Sequence, residues 1–70
     1  MIKFENPTNG RFYYLDVQRD IFNDLVLTVI RGGRYTRVVK HFGYNDPLAI
    51  QRQVDKISRQ RLKRGYHLVV

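Results

Sequence analysis

The chain has 70 residues, 43% of them hydrophobic and 13% aromatic, no cysteine, and a formal charge of +7 at neutral pH. One domain fits that length, close to the smallest size at which a core folds without disulfides or metal, and the apolar content excludes a disordered basic tail. Disulfides are excluded outright, two histidines without thiolates argue against structural zinc, and no apolar run suits a signal peptide or a bilayer span, so a cytoplasmic protein with no cofactor is expected.

Residues 1–9 read as a lead-in segment that ends in the turn-rich Asn6-Pro7-Thr8-Asn9-Gly10. Residues 11–18 are aromatic and β-branched and form a strand with Tyr13, Leu15 and Val17 on one face. The next six residues are polar except Ile21 and Phe22, and Asn23 tolerates the left-handed backbone of a tight reversal. Residues 25–31 and 34–42 read as two strands of a hairpin whose turn is the pair Gly32-Gly33. In that register Arg31 faces Arg34, Val29 faces Thr36, Leu27 faces Val38 and Leu25 faces Lys40, on a face that is mainly core. The other face carries Val26, Thr28, Ile30, Tyr35, Arg37, Val39 and His41, and a one-residue slip would exchange the two.

After Gly43-Tyr44-Asn45, Asp46 can cap a helix with Pro47 at its first position. The helix is expected to run to about Arg64, with Gly65 as its C-terminal cap and residues 66–70 resuming a strand pattern. At 100° per residue Ile50, Val54, Ile57 and Arg61 share a stripe facing the sheet, where the Arg61 stem can pack while its head reaches the rim. The fold class is α+β: a small antiparallel sheet of about four strands with one long helix across one face.

The sharpest functional signal is Arg31-Gly32-Gly33-Arg34. Glycines let a backbone approach a polyanion closely, and guanidinium forks bind phosphate oxygens two at a time. Tyr35, Arg37 and Lys40 extend this candidate nucleic-acid site along the following strand. A second basic set, Arg52, Lys56, Arg59 and Lys63, forms one ridge on the outer side of the helix, either as a solvated face or as a track for phosphates. Tyr13, Tyr14, Tyr35 and Tyr44 can stack on bases wherever the fold exposes them and are core residues elsewhere. Nothing points to an enzyme: Ser58 has no neighbouring histidine, the six acidic residues are scattered, and there is no phosphate loop with lysine and no metal-ligand cluster. His41 and His67 could meet across the sheet, or lie apart as surface residues.

Several segments together resemble the WGR domain of poly(ADP-ribose) polymerases and bacterial proteins. They are Gly10-Arg11-Phe12-Tyr13-Tyr14-Leu15, Asp20-Ile21-Phe22-Asn23, Val29-Ile30-Arg31-Gly32-Gly33-Arg34, Ala49, and Arg61-Leu62-Lys63-Arg64-Gly65-Tyr66. The resemblance runs from about residue 9 to residue 69 and makes the whole chain a single WGR-like domain. It implies an antiparallel sheet with one helix, and DNA binding in which a motif tryptophan packs on a terminal sugar while basic residues hold phosphates. Gly33 and Arg34 match the motif's glycine and arginine, but Gly32 stands in the tryptophan's place and the chain has no tryptophan, which removes that platform. Tyr35 is the nearest substitute ring.

The expected function is therefore a non-catalytic module contacting the phosphates of a nucleic acid, DNA ahead of RNA, with Arg31, Arg34 and Arg37 as the main contacts. No membrane and no small-molecule substrate are expected as partners. The alternatives are an adaptor that docks an acidic protein on the helix ridge, and self-association through an exposed sheet edge.

Overall fold

Residues 11–44 carry most of the β-branched and aromatic positions, and they form the body of the sheet. In the computed structural model, which describes residues 1–69, strands β1 (Ile2–Asn6), β2 (Arg11–Arg19), β3 (Leu25–Gly32) and β4 (Arg37–Tyr44) precede helix α1 (Pro47–Lys63) and a short β5 (His67–Val69). The sheet order is β4-β3-β2-β1-β5 with every neighbouring pair antiparallel, and α1 links the two edge strands by crossing one face. The expected α+β fold is what forms, with four main strands and a fifth of three residues. Val70, the last residue of the expected final strand, lies outside the described residues. No helix among the described residues is long and apolar enough to cross a membrane.

The N-terminal segment departs from the expected lead-in. Ile2–Asn6 is a strand held between β2 and β5, and its Phe4 is a core residue at 2% exposure. Alternation places Phe4 on the same face as Leu15, Leu27 and Val29, and onto these four pack Ile50, Val54 and Ile57 from α1. Asn6 is the buried polar residue of this strand. Its Oδ1 accepts from the Thr8 N–H at 3.0 Å and its Nδ2 donates to the Arg64 carbonyl at 3.5 Å, tying the β1–β2 turn to the end of the helix.

The β3–β4 hairpin also differs from its expected register. Gly32 stays in β3 opposite Arg37, the Gly33 N–H donates to the Thr36 carbonyl, and Arg34 and Tyr35 occupy the reversal. Leu25 and Leu27 therefore face Tyr44 and Phe42, Arg31 faces Val38 and Val29 faces Lys40, each pairing moved by four residues from the one expected. This register gives both leucines aromatic partners where the expected one gave Leu25 a lysine, and an even shift keeps every side chain on its face. Neither glycine has positive φ, so the primed turn does not form. Gly32 is required for another reason: a Cβ there would collide with the Thr36 carbonyl oxygen.

The helix ends follow the sequence closely. Asp46 Oδ1 accepts from the Leu48 N–H at 3.0 Å, with Pro47 in the first turn. At the other end Gly65 has φ +87, its N–H donates to the Leu62 carbonyl, and the Tyr66 N–H donates to the Arg61 carbonyl, a paired closure that satisfies otherwise orphaned acceptors. The β2–β3 reversal also behaves as expected: Asn23 takes φ 66, and Asp20 Oδ1 accepts from the Phe22 and Asp24 N–H groups, leaving Ile21 and Phe22 exposed at the tip. That reversal and the β4–α1 junction share one end of the sheet, which carries Asp20, Asp24 and Asp46 together with Arg19. The β1–β2 and β3–β4 turns share the other.

Candidate functional site

Strand alternation puts Arg11 and Arg31 on the helix side of the sheet, at the end where the β1–β2 and β3–β4 turns meet. The last turn of α1 and its cap bring Arg61 and Arg64 to the same place. These four arginines line a cleft of about 360 Å³ whose wall includes Gly32 and Gly33, and no Asp or Glu lines it. Among the described residues the one ion pair joins the N-terminal ammonium to Asp16 at 3.9 Å, so none of the four is neutralised by a described carboxylate. Like charges gathered this way repel, and an anion entering the cleft would relieve that repulsion.

Arg61 is held most firmly. Its guanidinium lies 4.6 Å from the centre of the Tyr13 ring and 5.3 Å from that of Tyr66, a position in which two ring faces stabilise the cation. Its Nε is buried and has no hydrogen-bond partner. The expected packed stem is present, and the head faces the cleft.

The other residues of the expected site are dispersed. Arg34 folds back over Gly10, where a Cβ would sit 3.8 Å from its Nε. Tyr35 stands at the tip of the reversal, 94% exposed. Arg37 lies opposite Gly32 on the face away from the helix, so the sheet separates it from Arg31, and Lys40 is exposed on the helix side opposite Val29. Arg31, Gly32 and Gly33 are thus brought together with Arg11, Arg61 and Arg64, while Arg34, Arg37 and Lys40 lie outside the cleft lining. Arg11 and Arg64 were missed because they converge through the pairing of β2 with β1 and β3 and the Asn6 bridge to the helix cap, none of which leaves a local signal.

The ridge residues Arg52, Lys56, Arg59 and Lys63 are all exposed on the outside of α1, with Asp55 beside them held by Gln51 at 3.0 Å. His41 and His67 lie on β4 and β5, the opposite edges of the sheet, and do not meet; His41 Nδ1 instead bonds the Thr28 hydroxyl at 2.9 Å. Of the candidate stacking rings, Tyr13 lies under Arg61, Tyr44 packs at the edge of the core, and Tyr14 is half-buried on the helix-free face. No group of three or more His, Cys, Asp or Glu side chains that could hold a metal ion occurs among the described residues. Comparison with family models, with curated proteins and with solved structures gives no match.

Proposed function

We propose that this chain is a non-catalytic nucleic-acid-binding module of WGR type that grips phosphates, those of DNA first, in the cleft between the β3–β4 hairpin and the C-terminal end of α1. The observation that carries the reading is the set Arg11, Arg31, Arg61 and Arg64 around two glycines, with no Asp or Glu among the described residues that line the cleft. Four planar forks in one concavity suit tetrahedral oxyanions better than they suit solvent, since Arg binds phosphate in two places at once. Arg34, Arg37 and Lys40 extend the positive field to either side, and contacts of this kind position a backbone without reading its sequence. The WGR resemblance supports the same partner. Its tryptophan position is closed to any side chain by the Thr36 carbonyl, so the grip rests on charge, with Tyr35 as an exposed ring at the tip of the neighbouring hairpin.

The test is fluorescence anisotropy on a DNA duplex across a salt series, comparing R31A/R64A with a ridge variant in which Arg52, Lys56, Arg59 and Lys63 become glutamine. Each lost duplex phosphate contact lowers the slope of log affinity against log salt by about 0.9. The cleft variant is expected to lose affinity and slope together while the ridge variant keeps most of both. An unchanged slope in R31A/R64A refutes the assignment. Dominance of the ridge variant favours the second reading, an acidic partner docked on the helix, for which the observation is four exposed ridge cations with no described ion pair. Self-association through the free edge of β4 is opposed by Arg37, Lys40 and His41, since charged edge strands resist pairing.

A further inference from the structure

Among the described residues no element covers the face of the sheet away from α1. By the pairing register, one row across it reads His67, Glu5, Phe12, Gly32, Arg37 and the next reads Val69, Lys3, Tyr14, Ile30, Val39. The Phe12 and Tyr14 rings on the central strand pack against each other, with centres 4.9 Å apart and planes tilted by 33°, and Lys3 Nζ lies 5.6 Å over the Tyr14 ring. Both rings are partly exposed, and both line an apolar hollow of about 390 Å³ that Glu5, Arg11 and His67 also border. Gly32 puts no side chain beside Phe12, which leaves that ring open on the side toward Arg37.

Two residues, Arg11 and Phe12, border both this hollow and the arginine cleft. A strand whose phosphates lie in the cleft therefore reaches the rings by passing Arg11. We propose that the helix-free face is a stacking platform for unpaired bases of a single-stranded nucleic acid, with the Phe12 ring, backed by Tyr14, under a base and Lys3, Arg11 and Arg37 flanking the backbone. The proposal rests on the phosphate-binding reading of the cleft and adds what that reading lacks, a surface that tells single strands from duplex. An exposed antiparallel sheet with rings on a central strand meets the need of unstacked bases, because every base offers a π face and a paired duplex offers none along its length. Glu5 would repel phosphates, but within the hollow its carboxylate can accept from the exocyclic amino group of a base, which cytosine carries and thymine lacks.

The test uses the whole chain with three probes: a short oligodeoxycytidylate, an oligothymidylate of equal length, and a duplex closed at both ends by hairpin loops made of abasic linker. Binding is read by anisotropy and by tyrosine fluorescence, which is unmasked because the chain has no tryptophan. Wild-type protein is expected to bind both oligonucleotides with quenching of tyrosine emission, cytidylate severalfold more tightly. F12L and Y14L keep the apolar bulk without the ring; each is expected to lose about tenfold or more on single strands, and Y14L, whose ring lies outside the cleft, less than about twofold on the closed duplex, which rests on the phosphate contacts. Y14F is expected to retain single-strand binding, and E5A to remove the preference for cytidylate. Equal losses on single strand and duplex in Y14L, or unchanged single-strand binding in F12L and Y14L variants whose melting curves match wild type, overturn the platform while leaving the cleft intact. Equal wild-type affinity for the two oligonucleotides overturns the role of Glu5. Failure of wild type to bind any probe overturns the cleft reading and the platform with it.

Discussion

Replacing Arg61 with methionine separates what that side chain does for the fold from what it does for an anion. Two ring contacts, at 4.6 and 5.3 Å, each stabilise the cation by about 0.5–2 kcal/mol. Against this stands the buried Nε, an unmet donor costing about 1–3 kcal/mol. Methionine keeps an unbranched apolar stem and offers sulfur to the same tyrosines for about 0.3–1.5 kcal/mol. Gains and losses are of equal size, so R61M is expected to change stability by no more than about 1 kcal/mol, a melting shift within about 4–8 °C for a domain this small. Binding behaves differently, because no charge remains to meet a phosphate. Circular dichroism melts read the first quantity; anisotropy across a salt series reads the second, with the slope expected to fall by about 0.9 on duplex. A melting temperature lowered by far more than about 8 °C together with an unchanged salt slope would make Arg61 a structural prop and refute the reasoning.

Leu27 is fully buried at the centre of the core. L27A is expected to cost about 3–5 kcal/mol out of a total near 4–10 kcal/mol at ~0.05–0.15 kcal/mol per residue, and a urea midpoint close to wild type would contradict the described core. G32W restores the motif residue but drives it into the Thr36 carbonyl, so it is expected to destabilise the hairpin by about 1–3 kcal/mol and to gain no duplex-end preference; a folded variant with tighter end binding would show that the hairpin adopts another register. At the helix termini, D46A is expected to cost about 1 kcal/mol through its lost bond to the Leu48 N–H and G65A about 1–2 kcal/mol through its left-handed backbone, both read from thermal melts.

Local chemistry announced itself in the sequence wherever the physics is local. Asp46, Pro47 and Gly65 marked both helix ends, Asn23 marked a reversal, and the spacing of Ile50, Val54 and Ile57 marked the buried face. Two features escaped because they depend on distant partners. The stretch around Phe4 is too short and mixed to stand out, and becomes a strand only because β2 and β5 supply hydrogen bonds on both sides. Gly32-Gly33 looked like a turn, yet pairing Leu25 and Leu27 with Tyr44 and Phe42 outweighed the glycines' taste for positive φ. The cleft illustrates the same rule for function. Arg31 and the glycines were visible as a motif, but Arg11 and Arg64 lie far apart along the chain and needed the folded sheet to join them.

The carboxylates Asp20, Asp24 and Asp46 and the guanidiniums of the cleft lie at opposite ends of the sheet, which gives the molecule an electric moment as well as a net charge. In the field of a polyanion such a body feels a torque before it touches anything, and it tumbles arginine end first toward the surface it meets. Most collisions would then be correctly aimed, a kinetic advantage that salt erases as the ionic atmosphere thickens.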